Sequence, residues 1–141
     1  MYDNRLIKNF QDASKSHWLS DKTSMVQQSA FRERDLADFS GYEQAYHQLI
    51  TDIVTQQIRS TNLVLNGTPV KRIFVDGGFS KNSVYMNLLA NAFPNIEIFA
   101  ANIPQASSFG AAIAIHSHWN QNPLPNDLIS LTHFKPETIS V

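Results

Sequence analysis

The chain has 141 residues, of which 43% are hydrophobic and 16% charged, with a formal net charge of −1 and no cysteine. One domain is the expectation at this length, with enough apolar residues for a core, and wholesale disorder is excluded. A near-neutral chain without a basic block excludes nucleic acid or an anionic membrane as the main partner, and the lack of cysteine excludes a disulfide scaffold, a thiol nucleophile and a cysteine metal site.

No apolar run approaches the roughly 18 residues of a membrane span, and the N-terminus lacks a signal-peptide core, so a soluble, cytoplasmic protein is expected. Residues 1–38 are polar and poorly periodic, with aromatic anchors at Tyr2, Phe10, Trp18 and Phe31. They read as short helices, an extended arm, or a remnant of a preceding region. The mixed-charge cluster Arg32-Glu33-Arg34-Asp35 reads as a solvated face.

From Ser40 the pattern becomes helical. Tyr42, Ala45, Tyr46, Leu49, Ile50, Ile53, Val54 and Ile58 recur at three- and four-residue spacing. Ser40 as N-cap with Glu43 predicts a capping box, and Asn66-Gly67 followed by Pro69 predicts a stop near Leu65. This helix reads as an amphipathic core element with no chemistry of its own.

Arg72–Asn82, reading R-I-F-V-D-G-G-F-S-K-N, is the most informative segment. Ile73, Phe74 and Val75 have the bias of a short buried strand, and Asp76-Gly77-Gly78 breaks it. Ser80 is placed to cap a helix carrying Val84, Leu88, Leu89, Ala92 and Phe93. Strand, glycine turn and helix bring backbone N–H groups near a ligand, and two glycines remove the Cβ atoms that would hold a nucleotide away. The bland alternative for Gly77 and Gly78 is a tight turn needing positive φ. Asp76 reads as a turn or cap residue, Lys81 as a solvated lysine, and Asn82 as either a ligand contact or a first-turn surface residue.

Pro94-Asn95 makes a turn, Ile96–Ala100 alternates as a second strand, and Pro104 precedes a helix from Gln105 to about Trp119. Small residues from Ala106 to Ala114 suit that helix to close approach. The tail from Gln121, with three of the six prolines, is expected to be loop. The order helix, strand, helix, strand, helix gives an α/β class with a short parallel sheet and a right-handed crossover. Two parallel strands are a poor independent fold, so the sheet is expected to be incomplete, with exposed edges. His116 and His118, two apart, do not have the i, i+4 zinc spacing, and no hydrolase triad order, GxGxxG or P-loop is present.

V-D-G-G-F-S-K-N, then P-N-I-E-I-F-A, then Q-A-S-S-F-G-A-A-I-A resembles the C-terminal domain of FGGY-type carbohydrate kinases, over about Ser40 to Trp119. The resemblance implies an incomplete ribonuclease H-like (actin-like ATPase) domain: a polar arm over 1–38, a nucleotide-binding subdomain over 39–120 and a proline-containing tail over 121–141. It further implies ATP as ligand, along Gly77, Gly78, Phe79, Ser80 and Asn82, with Gly110 on a helix beside the cleft. Phe79 stands where family members often have glycine or alanine. Magnesium ligands, the sugar pocket and the catalytic aspartate lie upstream of the matching region in this family, as does the meander that opens its second domain. The expectation is therefore the ATP-binding part of a sugar kinase, catalytically silent alone. The sugar enters only with the missing first domain, and a complementing kinase half or a homo-oligomer is the partner. A non-catalytic interaction module docking on a separately encoded kinase half is the alternative.

Overall fold

A computed structural model describes residues 29–103 and 105–136. Helix α1 spans Tyr42–Leu65, strand β1 Arg72–Val75, helix α2 Ser83–Ala92 and strand β2 Glu97–Ala101. Helices α3, Ala106–Ala114, and α4, His116–Trp119, follow, and then strand β3, Leu131–Phe134. Most of the arm's aromatic anchors (Tyr2, Phe10 and Trp18) and Pro104 lie outside the described residues.

The sheet has the order β1-β2-β3. β1 and β2 are parallel with Arg72 opposite Glu97, and β2 and β3 are antiparallel with Ile98 opposite Phe134. The expectation of a short parallel sheet with a loop tail is thereby corrected. The proline-containing tail supplies a third strand, and the sheet is mixed. Pairing satisfies the β2 edge, and the Phe134 side chain packs against the core.

The core centres on α2, which touches α1 on one side and β2 and β3 on the other. Val84, Tyr85, Met86, Leu88, Leu89 and Ala90 are all buried, so this ten-residue helix is covered on most of its circumference. α1 contributes Ile50 and Val54, which lie one turn apart on its packed stripe. The sheet adds Ile98 and Ala100, with Ile73, Val75 and Phe134 half-buried beside them. On the other sheet face Phe74 stacks on Phe99 at 5.4 Å and Phe99 on His133 at 4.7 Å, with Phe74 55% exposed. Arg72 Nε donates to Glu97 on that face, at 2.8 Å, and this bond holds the Glu97 carboxyl below its ordinary range.

Three local expectations shift. α1 is capped at Gly41, one residue after Ser40, and Gln44 takes the place of Glu43: its Oε1 accepts from Ser40 N at 2.7 Å and from Ser40 Oγ at 3.0 Å. The charged cluster before α1 is not wholly solvated. Arg34 donates from Nε and an amino nitrogen to the Asp52 carboxylate, at 2.8 and 3.1 Å, and Asp52 is buried on α1. A fork matched to a carboxylate draws this arginine onto the helix while 39% of its side chain stays exposed. The final helix is two, broken at Ile115.

Candidate functional site

The candidate site lies at the carboxyl end of β1. Val75 ends the strand, and Gly77 then takes φ 78° and ψ −154°, a conformation essentially closed to side-chain-bearing residues. Residues Gly78–Lys81 form a 3-10 turn inserted between strand and helix, which moves the start of α2 to Ser83. Ser80 consequently does not cap α2. Its Oγ donates to the Gly77 carbonyl at 2.8 Å, closing the turn on itself.

Asn82 takes the cap instead. Its Oδ1 accepts from Tyr85 N at 3.2 Å, and its Nδ2 donates to Tyr46 Oη at 2.8 Å. The residue expected either at a ligand or in a first turn is thus a joint between α1 and α2. Tyr46 is the residue that sequence reasoning missed. Its spacing sets it on the apolar stripe of α1, and only the packing of α1 against α2 brings its hydroxyl to a residue 36 positions on.

Phe79 lies over Tyr85, with ring centroids 4.6 Å apart. It is 43% exposed, so one face is covered and the other is open. The buried Tyr85 phenol is pushed above its ordinary pKa by desolvation. Beside these rings an open hollow of about 350 Å³ is lined by Tyr46, Gly78, Lys81, Asn82, Ser83 and Val84. A Cβ added at Gly77 or Gly78 would meet nothing within 4 Å. At Gly77 the backbone alone demands glycine; at Gly78 neither backbone nor packing does, which leaves space for a ligand to approach the main chain.

A larger hollow of about 710 Å³, lined by Pro69, Lys71, Arg72, Asn95 and Glu97, lies at the amino ends of the parallel strands. Ligands of open α/β sheets bind at the carboxyl ends, so the smaller hollow is the better candidate. Gly110, expected at a close approach, also meets nothing within 4 Å of an added Cβ, and α3 buries none of its residues. The open turn suits a nucleoside. Magnesium is different: among the described residues no group of three or more His, Asp or Glu side chains could hold a metal ion.

The parallel β1-α2-β2 unit, its glycine turn and the antiparallel β3 define a small α/β architecture with a mixed sheet. The model of the FGGY family of carbohydrate kinases, C-terminal domain, matches residues 36–117, more than half of the chain, and the chain belongs to that family. No curated protein and no solved structure matches it. β3 and Arg34 both fall outside the matched span, yet one completes the sheet and the other anchors α1. Among the described residues no helix is long and apolar enough to cross a membrane.

Proposed function

We propose that this chain forms the adenosine-side wall of the ATP cleft of an FGGY-type carbohydrate kinase, in the cytoplasm. Gly77, Gly78 and Phe79 line it, while Ser80 and Asn82 hold the turn in shape. The observation that carries this reading is the vacant Cβ space at Gly78, at the carboxyl end of a parallel strand. Membership of the family supports ATP as the ligand and a sugar hydroxyl as the acceptor. Residues 39–120 are the nucleotide-binding subdomain in this reading, with 131–134 added as its third strand, and the architecture is one portion of a ribonuclease H-like domain.

In the parent reaction the sugar oxygen bonds to the γ-phosphorus as the bond to the β,γ-bridging oxygen breaks. ADP leaves, and the hydroxyl proton passes to a base. Such catalysis is positioning and charge stabilisation across a closed cleft, so one wall binds without transferring. These 141 residues alone bind ATP weakly and turn over no sugar.

Titration calorimetry with ATP tests the site. The expected result is weak binding that Gly78→Trp abolishes with the melting temperature unchanged, because the new side chain leaves the turn toward open space. Binding that survives Gly78→Trp overturns the assignment.

A second reading, an interaction module docking on a separately encoded kinase half, is favoured by the exposed small-residue helix α3. Kinase activity that returns on mixing with the product of an adjacent upstream gene supports a split enzyme. A stable complex without activity supports the module.

A further inference from the structure

Among the described residues β1 is an edge strand of the sheet, and its outer side carries a self-complementary sequence. Glu97 N donates to Lys71 O, and in a parallel pair the inward-facing positions then continue at Ile73 and Val75. The N–H and C=O groups of Arg72, Phe74 and Asp76 therefore face the free edge. The same three residues are exposed, with Phe74 at the head of the Phe74–Phe99–His133 row.

We propose that β1 pairs antiparallel with β1 of a second copy of this chain, about a two-fold axis at Phe74. In that register Phe74 faces Phe74 of the other copy, and Arg72 faces its Asp76 in both directions. Ile73 faces Val75 on the core side. Two independent features select this one register. The outward-facing backbone groups fall at 72, 74 and 76, so all three opposed pairs are hydrogen-bonded pairs. The charges of R-I-F-V-D reverse sign about the same centre. A slip of one residue would turn the apolar side chains to the wrong face, and a slip of two would separate the charges.

The product is a continuous six-stranded sheet with six stacked rings across its open face. Arg72 uses its Nε on Glu97 within its own copy, and the guanidinium has further N–H donors with which the proposed register lets it meet Asp76 of the second copy. A C2 pairing of this kind is closed, so it removes the edge that would otherwise recruit further strands without limit. The interface is short, and the dimer forms in reversible, concentration-dependent equilibrium.

Sedimentation analysis of the full chain across a micromolar concentration series reads the equilibrium, with circular dichroism verifying that each variant folds. Asp76→Arg, which leaves the Arg72–Glu97 bond intact, and Arg72→Asp each weaken self-association by at least roughly tenfold, since both symmetry-related pairs become repulsive at once. An equimolar mixture of the two variants associates again, because one strand then carries two arginines and the other two aspartates. A chain that is monomeric throughout overturns the proposal, as does a dimer that either reversal leaves unchanged or a mixture no tighter than its components. Association only with a separately produced kinase segment overturns it too, and assigns the edge to that strand.

Discussion

The Nδ2 of Asn82 donates to the hydroxyl of Tyr46 across 2.8 Å while its Oδ1 caps α2, so one side chain fixes both the start of that helix and its distance from α1. The glycine turn that precedes Asn82 is therefore held from both ends: by β1 on one side and by this joint on the other. A binding turn gains affinity when its conformation is set before the ligand arrives.

Asn82→Ala loses the cap and the joint and destabilises the fold by about 1–2 kcal/mol. Asn82→Asp keeps the cap but cannot donate to Tyr46, and costs less. Tyr46→Phe removes only the joint. In urea melts, Tyr46→Phe added to Asn82→Ala lowers stability by less than Tyr46→Phe alone, because the bond is already gone. Full additivity would show that the two side chains do not act together.

Arg34 sits outside the span that matches the family model, yet its removal should be felt in the core. Arg34→Ala leaves the buried Asp52 carboxylate with Gln48 Nε2, at 2.8 Å, as a remaining partner. The expected loss is about 1–3 kcal/mol in thermal or urea unfolding. Arg34→Ala combined with Asp52→Leu recovers part of it, since no buried charge then lacks its cation.

The pH dependence at the alkaline end follows from Tyr85. Burial raises its folded-state pKa above that of the unfolded chain, so the unfolded state releases the proton first. Stability is whole below the unfolded value, near 10 for a tyrosine, and declines as pH rises through the folded one. Tyr85→Phe removes the proton and flattens that decline while keeping the stack beneath Phe79. Melting temperatures measured from neutral pH upward for the two proteins should diverge only on the alkaline side; parallel curves would assign the decline to other groups.

Much of this arrangement is legible in the chain. The stop of α1 at Asn66-Gly67, the strands around Phe74 and Phe99, and the glycine break after Asp76 are local signals, and each appears where its chemistry places it. What the sequence hides is long-range or masked. Leu131-Thr-His-Phe134 runs apolar, polar, polar, apolar without strand alternation, prolines on both sides make it read as loop, and only pairing with β2 makes it a strand. Arg34 looks solvated among three other charges because its carboxylate lies 18 residues on, on another element. Ser80 looks like the cap because a 3-10 turn carries no periodic signature that distinguishes it from the first turn of a helix.

β3 should be required for the stability of the sheet, despite its place after a proline-containing stretch. Phe134→Ala withdraws a half-buried ring from the core and costs about 1–2 kcal/mol. Deleting residues 131–141 goes further, exposing the β2 edge and leaving two parallel strands. That variant should melt earlier and scatter light on concentration, whereas a deletion that melts with the full chain would show β3 to be dispensable.

The adjacent glycines of the turn should separate cleanly on substitution. Both have open space where a Cβ would stand, so packing predicts no difference between them. Backbone does: Gly77 holds φ 78° with ψ −154°, and Gly77→Ala strains it by roughly 1–3 kcal/mol. Gly78 lies outside the positive-φ region, and Gly78→Ala is neutral or stabilising by roughly 0.4–1 kcal/mol through the unfolded chain. Unfolding measurements on the two alanine variants check this split. It also separates structure from binding at the site, since a loss of ATP affinity in Gly78→Ala cannot then be a loss of fold. Equal destabilisation by both would mean that the turn, and not a ligand, is what the second glycine serves.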